Sequence, residues 1–78
     1  MTNLTPIDCN TLSEISTEIE EAKESEDFKW CLYSCIHTAN QIQNEELKEA
    51  ILNICTQDNE RFTDQQCIEQ LEKFILNL

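Results

Sequence analysis

Glycine is absent from this chain of 78 residues, and its single proline is Pro6. Tight hairpin turns depend on residues that adopt a positive φ easily, above all the glycine of Asn-Gly turns. The abundant residues instead include glutamate, leucine, isoleucine, glutamine and asparagine, which suit helices and their ends. The composition therefore favours an all-α fold over a β-rich one.

The segment between Phe28 and Ile42 is the most apolar part of the chain. At helical spacing its apolar side chains form one broad stripe, which consists of Phe28, Cys31, Leu32, Cys35, Ile36, Ala39 and Ile42. A second set, Trp30, Tyr33 and His37, recurs at i, i+3 and i+7 on a different side. Because two sides carry apolar or amphipathic side chains, this segment is predicted to be a central helix with neighbours around most of its circumference.

Three more amphipathic segments accompany the central one, within a chain short enough for a single domain. Thr11 followed by Glu14 has the pattern of a capping box, so the first helix is predicted to begin there, after an irregular lead-in over residues 1–10. The predicted helices span about residues 11–25, 27–43, 45–56 and 63–77. Their number and short connections predict a small four-helix bundle or a pair of packed helical hairpins.

The predicted starts of the later helices carry capping residues. Ser25 or Asp27 can cap the second helix, Asn44 the third, and Thr63 with Gln66 forms a capping box before the fourth. Core spacing in the fourth helix selects Cys67, Ile68, Leu71, Phe74, Ile75 and Leu78. The C-terminus is therefore expected to be docked, with Leu76 exposed.

Acidic residues dominate the charge, with 16 Asp and Glu against five Lys and Arg for a net charge of −11. Seven of the acids lie in one short run and are predicted to bind a partner: Glu14, Glu18, Glu20, Glu21, Glu24, Glu26 and Asp27. Such a charge disfavours nucleic acid and anionic membranes and suits a basic protein partner. The alternative is a solvated surface that only keeps the protein soluble.

Trp30 and Tyr33 are added to this candidate binding surface because exposed aromatic side chains are frequent anchors of protein interfaces. Aromatic residues at helical spacing are, however, more often core or boundary residues than interface anchors.

Five cysteines are an odd number, and no secretory signal is seen in the first residues, MTNLTPIDCNTLSE. Cys31 and Cys35 share one helix side, but a metal site would need further ligands that His37 cannot supply from the same helix. Helical geometry also separates the Cys31 and Cys35 Cβ atoms too widely for a disulfide. The cysteines are predicted to be buried free thiols, with no metal or cofactor, in a cytoplasmic protein.

No catalytic residue is predicted, because the sequence has one histidine, no glycine-rich phosphate loop and no nucleophile elbow. No apolar run approaches the ~20 residues that span a bilayer. The leading hypothesis is a non-enzymatic protein-binding module, namely an inhibitor, an immunity protein or a small chaperone or adaptor. The alternatives are a nucleic-acid-mimicking inhibitor, such as a phage-encoded anti-nuclease protein, and a cysteine-based metal or redox module.

Overall fold

The computed structural model describes residues 4–78, which form four α-helices packed against one another and contain no strand. The helices are α1 (Pro6–Ser25), α2 (Phe28–Ala39), α3 (Glu45–Cys55) and α4 (Asp64–Leu76). α2 and α4 each contact the three other helices, whereas α1 and α3 lie on opposite sides of that pair. The all-α prediction of a small four-helix bundle is confirmed.

One core cluster fills the space between the helices. It is formed by the side chains of Ile15, Ile19, Ala22, Cys31, Leu32, Cys35, Ala39, Ile42, Leu47, Ile51, Cys55, Cys67, Ile68 and Leu71. Each helix contributes residues at the spacing predicted from the sequence, and burial of one leucine or isoleucine stabilises the fold by about 1.5–3 kcal/mol. The two outer members of the α2 stripe, Phe28 and Ile36, are half-buried against this cluster.

The start of α1 differs from the prediction at Thr11, and residues 6–10 are helical rather than irregular. Thr5 is the N-cap, because its Oγ1 accepts a hydrogen bond of 3.1 Å from the Asp8 amide. Pro6 occupies the first helical position, where its fixed φ suits the helix and its missing N–H costs nothing. Thr11 is buried one turn further on and donates to the Ile7 carbonyl at 2.9 Å. The rest of the predicted lead-in, residues 1–3, lies outside the described residues.

A left-handed residue ends α1 in a chain that has no glycine to place there. Glu26 has φ 61°, and its N–H donates to the Ala22 carbonyl at 2.7 Å. For a residue with a Cβ atom, the left-handed backbone conformation is roughly 1–2 kcal/mol less favourable than the right-handed one. Asp27 follows directly and caps α2, since its carboxylate accepts from the Trp30 amide at 3.2 Å. The predicted cap at Asp27 is confirmed, and the chain reverses direction over two residues.

The connection from α2 to α3 is held by a carboxylate from α1. α2 ends at Ala39 rather than near residue 43, and the chain then turns toward the N-cap of α3, Asn44. Asp8 is fully buried and accepts from the backbone amides of Gln43 at 2.7 Å and Asn44 at 3.3 Å. This carboxylate satisfies two amides next to a helix N-terminus, where negative charge is favoured.

The remaining predictions concern the ends of α4. The capping box is present, with Thr63 accepting from the Gln66 amide at 3.1 Å and the Gln66 side chain accepting from the Thr63 amide at 2.9 Å. Leu76 is 79% exposed, as predicted. Leu78 is 45% exposed, so its predicted burial is wrong. Asn77 caps α4, and Leu78 beyond it no longer follows the helical spacing.

Candidate binding surface

α2 has an uncovered outer side. Trp30 is 70% exposed and Tyr33 is 59% exposed, and His37 one turn further along is exposed as well. We call these three residues the aromatic ridge. The prediction of neighbours around most of α2 is therefore wrong, as is the core or boundary position for its two aromatic residues. The other three helices all pack on the inner side, and the described chain has no fifth helix to cover the outer one.

A small crevice of about 90 Å³ lies between α1 and α2 on one side of the ridge. We call it the α1–α2 crevice, and its lining residues are Glu18, Glu21, Ala22, Ser25, Asp27, Trp30, Cys31 and Ser34. Four of the nine residues predicted to bind a partner, Glu18, Glu21, Asp27 and Trp30, meet here. Carboxylates thus lie beside an exposed indole, a combination that attracts cationic side chains.

Glu18 has a structural partner in α2. Its Oε1 accepts hydrogen bonds from the Ser34 hydroxyl at 2.8 Å and the Thr38 hydroxyl at 2.9 Å. Thr38 is buried, and Glu18 is half-buried between the two helices. The carboxylate therefore ties α1 to α2, and of the acids in the crevice Glu21 and Asp27 are the exposed ones.

The remaining acids of the run do not share one face with the crevice. Glu20 lines a separate recess between α1 and α4, whereas Glu14, Glu24 and Glu26 are exposed and line neither recess. The only base in the run, Lys23, pairs with Glu72 of α4 and with Glu20 at 3.9 Å. The hydrogen bond to Glu72 raises the pKa of Lys23. The acidic run therefore wraps around α1 instead of forming one flat surface.

On the other side of the ridge lies a groove of about 500 Å³ between α2, the end of α3 and the start of α4. We call it the α2–α4 groove, and its lining residues are Lys29, Leu32, Tyr33, Ile36, Cys55, Thr56, Gln57, Asn59, Phe62, Thr63 and Asp64. Only Tyr33 was among the residues predicted to bind a partner. The others were missed because the groove joins positions that are distant in sequence and follow no local motif.

The wall of this groove is an ordered connection between α3 and α4. The Asp58 carbonyl accepts from the amides of Arg61 and Phe62, both at 3.0 Å. The Gln57 side chain donates to Gln70 of α4 at 3.0 Å and to the Ile54 carbonyl at 2.9 Å. Phe62 is half-buried against the core, so the groove has an apolar floor and hydrogen-bonded walls.

The five cysteines are free thiols, and all but Cys9 are buried. The exposed Cys9 is an exception to the predicted burial. Cys31 and Cys35 lie with their sulfur atoms 3.8 Å apart, and the Cys31 thiol contacts the Glu18 carbonyl at 3.4 Å. The hydrogen bond from Cys35 lowers the pKa of Cys31, whereas that bond and burial raise the pKa of Cys35. Burial also raises the pKa of Cys55 to about 12.

These thiols do not form a recognisable reactive centre with the histidine. His37 is exposed on the ridge, whereas Cys35 is fully buried on the inner side of α2, so the two side chains point different ways. In the part of the chain that the structure describes, no group of three or more His, Cys, Asp or Glu side chains is placed to hold a metal ion. The outer side of α2 thus carries an aromatic ridge between the acidic α1–α2 crevice and the α2–α4 groove.

None of the helices within residues 4–78 combines the length and apolar character needed to cross a bilayer. In comparisons with known proteins, no family model matches the chain, and neither a curated protein nor a solved structure matches it.

Proposed function

We propose that this protein is a non-enzymatic binding module that engages a basic protein partner through the surface formed by α1 and α2. The observation that carries the proposal is the position of Trp30, which is 70% exposed beside the carboxylates of the α1–α2 crevice. Tryptophan is enriched at the energetic centres of interfaces, and its ring face attracts Lys and Arg side chains. Glu21 and Asp27 supply the opposite charge within the same crevice.

The net charge of −11 supports the same partner class. Exposed carboxylates such as Glu14, Glu20, Glu24 and Glu26 surround α1 and steer a basic protein toward it over distances of about a Debye length. Electrostatic steering of this kind raises the association rate more than it raises the affinity. Glu18 holds α1 and α2 together, and its contribution is to the shape of the surface.

Within this class an inhibitor, an immunity protein and a small chaperone or adaptor all fit, and we place the protein in the cytoplasm, where thiols stay reduced. A nucleic-acid mimic would present carboxylates in rows that resemble a phosphate backbone. The acids of α1 are instead spread over three sides of the helix, and one of them is bonded internally. This distribution favours the protein-binding module.

The test is capture of a partner from the native host, followed by affinity measurements with charge-reversal variants. Glu21→Lys alters the crevice, whereas Glu49→Lys makes the same change on the exposed side of α3, away from α1. We expect Glu21→Lys to weaken binding of the captured protein at least about tenfold and Glu49→Lys to have little effect. Equal effects of both variants, or an affinity unchanged between about 50 and 500 mM salt, would contradict the proposal.

A further inference from the structure

The outer side of α2 differs in charge from the rest of the molecule. No Asp or Glu lies within Phe28–Ala39, although the chain contains 16 of them. The exposed residues of α2 include Lys29, Trp30, Tyr33 and His37. Acidic residues stand at both edges of this strip, Glu21 and Asp27 at the crevice and Asp64 at the groove. An apolar centre with a charged rim is the usual anatomy of a protein interface.

The two recesses lie on opposite flanks of the aromatic ridge. Trp30 lines the α1–α2 crevice and Tyr33 lines the α2–α4 groove, although the two residues are only three positions apart on α2. Their Cβ atoms are therefore roughly 5–6 Å from each other. An α-helix with its side chains is about 10–12 Å wide, so a single helix that lies along α2 reaches both recesses.

The form of the partner segment follows from the hydrogen bonding of this surface. The described part of the chain has no strand, so no sheet edge is present to which an extended peptide can add. The backbone of α2 is occupied by its own helical hydrogen bonds. Recognition must therefore come from side chains, and an amphipathic helix laid along α2 binds in this mode.

We infer that the aromatic ridge and its two recesses form a docking site for an amphipathic helix with an aliphatic stripe flanked by Lys or Arg. This inference rests on the proposed function and names the segment that the partner presents. Aliphatic side chains enter the α2–α4 groove over Leu32, Ile36 and Phe62, and a basic side chain enters the α1–α2 crevice beside Trp30. Lys29 is the one base in the groove lining, so the partner residue opposite it is neutral or acidic.

The native protein contains its own reporter, because Trp30 is the only tryptophan. The probes are three helical peptides of about 15 residues without tryptophan, built from Leu and Lys, from Leu and Glu, or from Gln and Lys. We expect the Leu/Lys peptide to bind saturably and to shift Trp30 emission to shorter wavelength. The Leu/Glu peptide, which is repelled, and the Gln/Lys peptide, which lacks the stripe, bind at least about tenfold more weakly.

Two variants locate the binding on the molecule. Tyr33→Ala removes an exposed side chain of the ridge and leaves the reporter, Trp30, in place. We expect this variant to bind the Leu/Lys peptide at least about tenfold more weakly. Leu76→Ala removes a side chain that is still more exposed, on α4, and is expected to leave peptide binding unchanged. Equal loss in both variants would show that binding is not located on the ridge and would overturn the inference.

The outcomes separate this inference from the proposed function. If the Gln/Lys peptide binds as tightly as the Leu/Lys peptide and leaves the Trp30 emission unchanged, the docking site is refuted while binding of a basic partner stands. If no peptide binds but the host partner still depends on Glu21, the docking site alone is again refuted. If the free protein sediments as a dimer that Tyr33→Ala converts to a monomer, a second copy occupies the ridge and the inference is overturned.

Discussion

The two sides of α2 carry different kinds of side chain. The inner side packs with Leu32 and with the small residues Cys31, Cys35 and Ala39, all of which are buried. The outer side carries the larger aromatic residues Trp30 and Tyr33, and both are mostly exposed. Small inner side chains let three helices approach α2 closely, so the fold does not depend on Trp30 or Tyr33. In the proposed function their exposed position serves contact with a partner, and this view can be tested by changing the two sides separately.

The largest expected effect is on the free energy of unfolding, and it distinguishes two neighbouring residues on the two sides of α2. Leu32→Ala removes a buried side chain from the core and should lower the free energy of unfolding by about 2–4 kcal/mol. Tyr33→Ala, the next residue along α2, removes an exposed side chain and should change it by less than about 0.5 kcal/mol. Urea denaturation followed by far-UV circular dichroism measures both. If Tyr33→Ala proved as destabilising as Leu32→Ala, Tyr33 would be a core residue and the contrast between the two sides would be lost.

Periodicity alone was sufficient to predict the inner side of α2. The seven residues of its apolar stripe are all buried or half-buried, because a helix with one apolar stripe has only one way to face a core. The same periodicity placed Trp30, Tyr33 and His37 on a different side but did not establish whether that side is covered. Whether another helix packs on that side depends on how many helices the fold contains, and the three neighbours of α2 all pack against its apolar stripe.

Residues held by long-range hydrogen bonds were harder to predict. The prediction of an irregular lead-in over residues 1–10 includes Asp8, although Thr5 and Pro6 before it form a strong helix start that competes with the one at Thr11. The bonds of Asp8 to Gln43 and Asn44 cross 35 and 36 positions of sequence. No local pattern contains such a contact. Glu18 was likewise grouped with the exposed acids, because its bonds to α2 also depend on tertiary packing.

A second prediction concerns the buried thiols. An unfolded cysteine loses its proton near pH 8.5, whereas burial raises the pKa of Cys55 to about 12 and also raises the pKa of Cys67. The hydrogen bond with Cys31, together with burial, raises the pKa of Cys35. Between these values the unfolded state has lost protons that the folded state still holds. The free energy of unfolding should therefore be undiminished below pH 8.5 and fall above it, by up to about 1.4 kcal/mol per pH unit for Cys55. The lowered pKa of Cys31 acts below pH 8.5, where it makes stability rise with pH, and it adds no slope above that value.

Urea denaturation from pH 7 to 10 measures the slope, and a disulfide reagent reports the thiols directly. In the native protein at pH 8 the exposed Cys9 should react quickly and the four buried thiols slowly, and all five should react in denaturant. A stability that rises with pH above 8.5, or five thiols that react equally fast in the native protein, would show that the inner side of α2 is open to solvent.

The smallest expected effect on the free energy of unfolding distinguishes two glutamates of α1 that belong to the same acidic run. Glu18→Gln removes the charge that strengthens the hydrogen bonds from Ser34 and Thr38, although its amide oxygen can still accept both. We expect it to lower the free energy of unfolding by about 0.5–1.5 kcal/mol. Glu24→Gln removes an exposed charge four residues after Glu20, so it relieves repulsion and should be neutral or slightly stabilising.

Both substitutions reduce the net negative charge by one unit, so general repulsion alone predicts that both stabilise the protein equally. Urea denaturation at low salt measures the change in the free energy of unfolding for each variant. Changes of opposite sign would show that the Glu18 carboxylate joins α1 to α2, whereas the Glu24 carboxylate is free to contact a partner. Equal stabilisation would mean that Glu18 is as free as Glu24. The α1–α2 crevice would then lose its fixed wall, and Trp30 would stand beside a mobile carboxylate rather than in a formed recess.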